Sequence, residues 1–135
     1  MQNTLAVAQS FIEAWISQDA QQVMNHFTDE SEIYVNPAFP GTPPEYHGKE
    51  QVQMFVNGFI VGFGGEVTNL TADGNRATFS ARLSSDAVKA SGIDTVDQND
   101  EVVVVDDKVK TFTINFTPET IEKFNKLNPR QASSS

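Results

Sequence analysis

Apolar residues recur at spacings of three and four from Leu5 to Ile16, where Leu5, Ala8, Ile12, Trp15 and Ile16 make a stripe that Val7 and Phe11 widen. That period predicts an amphipathic helix, with Gln9, Ser10, Glu13 and Ser17 off the stripe. Asp19 is placed to cap a second short helix carrying Val23, Met24 and Phe27, and "TDES" then breaks the pattern. From Ile33 the period becomes two. Ile33 and Val35 alternate with Tyr34 and Asn36, so the last two leave one face of a strand together. Pro37 has no N–H and ends the pairing, and a stiff loop through Pro40, Pro43 and Pro44 follows. A third helix after Gly48 carries Val52, Phe55, Val56, Phe59 and Phe63 on one stripe. Gly58 inside it costs about 1 kcal/mol relative to alanine, which points to a close approach by another element.

Beyond residue 64 the pattern is of strands: "EVTNLTA", a turn at Asp73-Gly74-Asn75, then "RATFSARL" in strict alternation. "SSDAVKASG" reads as a short helical excursion, and "DEVVVVD" with "KVKTFTINF" as a hairpin around Asp106-Asp107. Four consecutive valines predict a central strand covered on both faces. Thr117 as cap and Pro118 in the first turn open a final helix with Ile121, Phe124 and Leu127 on a narrow stripe. The expectation is a single α+β domain over residues 1–128, with a flexible tail over 129–135. Three N-terminal helices pack in a bent, mostly antiparallel sheet, which leaves a cone-like cavity.

Composition narrows the partners. Nine basic against eighteen acidic side chains give a net charge of −9, which repels phosphate backbones and anionic lipid heads, so neither nucleic acid nor a membrane surface is expected. No apolar run approaches the roughly 20 residues a bilayer needs. The absence of cysteine removes disulfides, thiolate nucleophiles and cysteine metal sites. The opening "MQNTLAVAQSFIEAW" lacks a basic leader and reads as mature helix, making a cytoplasmic protein the default. Two distant histidines predict no metal site, and no cofactor is expected. The run Asp94, Asp97, Asp100, Glu101 lacks the glycine and glutamate of a calcium loop and reads as solvated turn charges.

Among side chains with chemistry to offer, Tyr34 and Asn36 are expected as polar anchors of a greasy pocket, with Trp15, Phe55 and Phe59 as the rings that stack on its occupant. Arg82 depends on register: if Ala77, Phe79, Ala81 and Leu83 face the core it is a solvated charge, and if they face out it enters the cavity. His47 either guards the pocket mouth or satisfies loop carbonyls, since no carboxylate is placed by the sequence to orient it.

The order helix, "QDAQQVMNHFTDES", strand, Pro-rich loop, "YHGKEQV", helix and long meander resembles the nuclear transport factor 2-like superfamily. That group includes ketosteroid isomerases, SnoaL-like polyketide cyclases and limonene-epoxide-hydrolase-like enzymes. The second half, from "ARLSSDAVKASG" to "FTPETIEKF", is similar to a bacterial branch in which a short helix precedes the last hairpin and a Ser/Thr-Pro-Glu helix ends the chain. The resemblance implies a cystatin-like cone, a homodimer through the sheet and a small hydrophobic ligand.

It also says which chemistry is missing. Where isomerases carry a basic aspartate and a helical tyrosine, the matching positions are Asn36 and Phe11, and neither can perform that step. The epoxide-hydrolase pattern matches at Tyr34, Asn36 and Arg82, but its two aspartates fall at Ser84 and Ile114; Asp86, two residues on, could rescue one of them. The leading expectation is therefore a small-molecule-binding domain without a recognisable acid/base pair. A lyase, cyclase or hydrolase using His47 or Asp86 is the alternative, and a protein-interaction module using the sheet face is the third.

Overall fold

Asn3 accepts the N–H of Ala6 through its side chain and so opens helix α1 (Thr4–Ile16), while Asp19 does the same for Gln22 at α2 (Ala20–Met24). The structure, a computed structural model, describes residues 3–133. After these helices come β1 (Phe27–Asn36), β2 (Glu45–His47), α3 (Gly48–Phe59), β3 (Gly64–Asp73), β4 (Arg76–Ser84), α4 (Asp86–Ala90), β5 (Val96–Val105), β6 (Lys108–Phe116) and α5 (Pro118–Ser133). The class is α+β. One six-stranded sheet runs in the order β2-β1-β6-β5-β4-β3, antiparallel except for the parallel pair β1–β6. Among the described residues no helix is long and apolar enough to cross a membrane.

Irregularities bend the sheet around the helices. Register shifts interrupt β1 between Phe27 and Glu32, β3 between Thr68 and Thr71, and the β5–β6 pair at Val103/Val104. The first is the "TDES" stretch. It lies inside β1, because buried Ser31 accepts the Thr28 N–H at 2.8 Å and donates to the Val109 carbonyl at 2.6 Å. Phe27 accordingly belongs to the strand and not to α2. Strand β2 was absent from the sequence reading: only three residues long, it pairs Tyr46 with Ile33 and buries the tyrosine.

The hollow side of the sheet takes the apolar residues. Phe11 on α1 is 1% exposed and meets Trp15, Phe27 and Phe112 edge-on at 5.1–6.5 Å between centroids. Leu5 and Ile16, expected on the buried stripe, are instead exposed, and Ala14 is buried in their place. β5 is an interior strand as its valines predict, but only one side of it is covered: Val102 and Val104 are fully buried while Val105 is exposed. Gly58 has no neighbouring atom that a methyl group would meet, so no element approaches it. Its cost stands without that return.

α5 starts where Thr117 accepts the Thr120 N–H, and Thr120 Oγ1 accepts the N–H of Asp97 at 2.8 Å. Phe124 then packs against Phe116 and Phe39. The helix runs to Ser133, beyond residue 129 where a tail was expected to begin; residues 134 and 135 lie outside the described ones.

Candidate functional site

Period-two alternation on β5 places Val96, Gln98, Asp100, Val102 and Val104 on the inner face. Across the ladder Asp100 stands opposite Phe79 of β4 and Ile114 of β6, both buried. A carboxyl group is thus held among hydrocarbon, 3% exposed. Gln98, two residues earlier on the same face, donates its Nε2–H to Asp100 Oδ2 at 2.6 Å. Burial removes the water that would stabilise an anion, and the single amide donor only partly offsets that loss. The Asp100 carboxyl is pushed up to about 8. At neutral pH it is mainly a protonated, uncharged acid.

The acid faces a cavity between the sheet and the helices. Phe11 and Trp15 from α1, Phe55 and Phe59 from α3, and Ile114 and Phe116 from β6 supply most of its apolar wall. Ile12, Ile16, Phe63 and Val67 also line it and are partly exposed, which puts its mouth between α1 and the segment joining α3 to β3. The free volume is about 70 Å³, under half of the roughly 150 Å³ apolar cavity that takes up benzene. The occupant must be small, or it must displace the rings at the mouth. Among the described residues two buried side-chain polar atoms have no hydrogen-bond partner, Trp15 Nε1 and Asp100 Oδ1, and both residues line this cavity. Such orphans are uncommon in folded chains, and each calls for a partner.

The sequence-derived site divides in two. Trp15, Phe55 and Phe59 line the cavity. Tyr34, Asn36 and Arg82 do not: Ile33 and Val35 of β1 and Ala77, Phe79, Ala81 and Leu83 of β4 take the inner positions, which turns the intervening residues outward. Asn36 donates to the Asn115 side chain at 3.3 Å on the outer face, and Arg82 pairs there with Asp97 at 2.7 Å.

His47 is also outside. It is flanked by two carboxylates, Glu32 Oε2 at 2.7 Å from Nδ1 and Glu45 Oε1 at 2.8 Å from Nε2, because β1–β2 pairing sets Glu32 directly opposite His47. The sequence reading found no such partner, since Glu32 is brought in by a strand it did not contain. The Glu45 and Glu32 carboxylates raise the imidazole above its ordinary value, and His47 in turn lowers Glu32. Asp86 is the exposed first residue of α4. β4 ends at Ser84, so the regular strand that would return Asp86 to the cavity face is not there. Its carboxylate sits where a side chain on Gly62 (φ +71°) would collide with it.

Asp100 was missed, having been read as a solvated turn charge. Running the alternation of Val104 and Val102 backwards puts Asp100 and Gln98 on the same buried face, and that signal was in the sequence. Ile114, where the epoxide-hydrolase resemblance lacks an aspartate, lies beside Asp100 on the neighbouring strand.

Comparison with known proteins agrees with this architecture. A structure from Xanthomonas campestris, described as a protein of unknown function with cystatin-like fold, superimposes with a TM-score of 0.76 at 16% identity, over 91% of this chain and 96% of that one. A Kribbella flavida structure described as a candidate ketosteroid isomerase gives 0.67 at 18% identity, over 84% and 77%. A Sinorhizobium meliloti structure described as a candidate polyketide cyclase gives 0.63 at 13%, over 82% and 94%. No curated protein matches the sequence. The fold is therefore that of the nuclear transport factor 2-like superfamily. Within it, residues 8–115 match the model of the SnoaL-like domain, and the chain belongs to that family.

Proposed function

We propose that the chain is a small-molecule-binding domain, and that its ligand is a compact apolar molecule carrying one oxygen. The observation that carries this reading is the pair of unpartnered polar atoms, Asp100 Oδ1 and Trp15 Nε1, on residues that line one cavity whose wall is mostly hydrocarbon, with Ser84, Ser85 and Gln98 as its other polar residues. The apolar wall supplies affinity, and the polar groups reward a ligand that hydrogen-bonds to them. The SnoaL-like family and the isomerase- and cyclase-type neighbours support the same reading. Native mass spectrometry of protein purified from its source tests it. A retained mass is expected, and it is lost from Asp100→Leu. A chain that carries nothing, and that no small apolar oxygen compound stabilises against heat, removes the proposal.

The acid itself favours a second reading as an enzyme. A carboxyl near 8 is matched to proton transfer at neutral pH, as a cyclase, lyase or hydrolase requires. Among the described residues no other titratable side chain lines the cavity, so the same carboxyl would have to deliver and recover the proton. Two expectations stay with the proposal: the homodimer joined through the sheet that the resemblance implies, and the cytoplasmic location that the sequence makes the default. Sedimentation equilibrium that finds only monomer removes the first.

A further inference from the structure

With about 70 Å³ free, under half of the roughly 150 Å³ that takes up benzene, the cavity admits a ring only if one of its own side chains moves. Three of the residues at its mouth are fixed by regular structure: Ile12 and Ile16 by α1, and Val67 by β3, where it stands opposite Ala81. Phe63 belongs to neither element. It lies in the link between α3, which ends at Phe59, and β3, which starts at Gly64. Among the described residues its one ring contact is with Trp15, at 5.0 Å between centroids and 44° between planes. Phe59, the other cavity ring that is not buried, is held by Phe39 and Phe55 at 5.2 and 5.0 Å.

The backbone beneath Phe63 is pinned. Its N–H donates to the Ile60 carbonyl at 3.0 Å, the Val61 carbonyl accepts the Asp86 N–H at 2.9 Å, and the Gly62 N–H donates to Gln18 Oε1 at 3.1 Å. What is free to change is the side chain, and both of its chain neighbours, Gly62 and Gly64, lack a Cβ that would obstruct the ring in an outward rotamer. A phenyl ring that turns outward vacates a seat of its own size and shape against Trp15. That seat adds to the space already free.

We infer that Phe63 is a placeholder for the ligand's ring and sets the ligand class: a monocyclic aromatic molecule takes over the seat on Trp15 as Phe63 turns out. The inference rests on the binding function proposed above and names the class of molecule for that site. An aromatic ring entering there recovers the ring contacts that Phe63 gives up; a saturated ring, thicker and without a π face, does not. Binding is weakened by the burial that Phe63 loses on leaving.

Phenol and cyclohexanol are the probes, since they share one hydroxyl and differ in the ring. The chain has a single tryptophan, so the nuclear Overhauser contact between its indole and the Phe63 ring is assignable. Added to the native chain, phenol is expected to abolish that contact, to replace it with one between phenol and Trp15, and to bind about five-fold more tightly than cyclohexanol. Phe63→Ala leaves the seat empty, so phenol affinity should rise about ten-fold, the equivalent of half the burial of one phenyl side chain.

Phenol that binds while the Trp15–Phe63 contact persists overturns the exchange, as does phenol affinity that is unchanged or lower in Phe63→Ala, or phenol that binds the variant alone. Cyclohexanol binding as tightly as phenol overturns the aromatic class. If neither probe binds either chain the inference falls; a mass retained in native mass spectrometry then leaves the binding function standing, and no retained mass removes both. The contact in the native chain decides the exchange even if Phe63→Ala does not fold.

Discussion

Asp100 and Glu101 are neighbours on β5 and point to opposite sides of the sheet. The first is buried among phenylalanine, isoleucine and one amide; the second lies on the outer face with Arg76 Nε 3.4 Å away. Glu32, also on the outer face, is held low by His47, while Asp100 is held high by burial. The same functional group is a partly exposed member of an ion pair on one side and a neutral acid on the other. What separates them is access to water and to an opposite charge, and that is decided by the parity of a position in its strand.

The largest effect expected from breaking this contrast is at Asp100. In the unfolded chain the carboxyl ionises near 3.8, and in the folded chain at about 8. Between those values the folded form holds the extra proton, so this residue lowers stability as pH rises through the window and costs nothing below it. Above about pH 8 the cost levels off at on the order of 5 kcal/mol. Asp100→Asn removes it. Thermal melts should show the variant above the native chain at about pH 9 and close to it at about pH 4. A variant that melts lower at both ends would mean that the carboxyl is not buried as described.

A smaller effect sharpens the comparison within the valine run. Val104→Ala, on the inner face, should cost roughly 2 kcal/mol in urea unfolding, whereas Val105→Ala, on the outer face, should stay within about 0.5 kcal/mol. Equal costs would mean that a partner covers the outer side. The smallest effect is at His47. Its stabilisation by Glu45 and Glu32 is fully present below the ordinary histidine value of 6.5 and is lost as pH rises through the higher folded value. Ring-proton NMR should find that elevated titration and should see it fall in Glu45→Gln; a titration unmoved by the substitution rules out the ion pair.

The fold was largely legible because period is a local property. The stripe on α1, the switch to alternation at Ile33, the Asp106-Asp107 hairpin and the Thr117-Pro118 helix start all reflect residues within a few positions of one another. Both hairpin aspartates adopt positive φ (52° and 62°), as a two-residue turn requires. The aromatic half of the site was legible for the same reason: Trp15, Phe55 and Phe59 come from helix stripes. The polar half was not. Tyr34 and Asn36 were grouped on one face correctly, but the choice of face belongs to Ile33 and Val35, whose burial wins over any polar role for their neighbours. Asp100 was hidden by composition, since "DQND" reads as a turn until the alternation of the following valines is carried back through it. His47 acquired its carboxylates only through β2, whose three residues are too few to show a period.

β1 draws its parallel neighbour from β6, and Asn36 and Asn115, hydrogen-bonded across that seam, are 79 positions apart. A ribosome adding 5–20 residues per second needs roughly 4 to 16 seconds to bridge that gap. Throughout that interval the edge of the first strand that β6 will pair lacks its hydrogen-bonding neighbour. An unpaired strand edge of this kind can pair with other chains, so aggregation of the growing polypeptide is favoured until the last hairpin arrives.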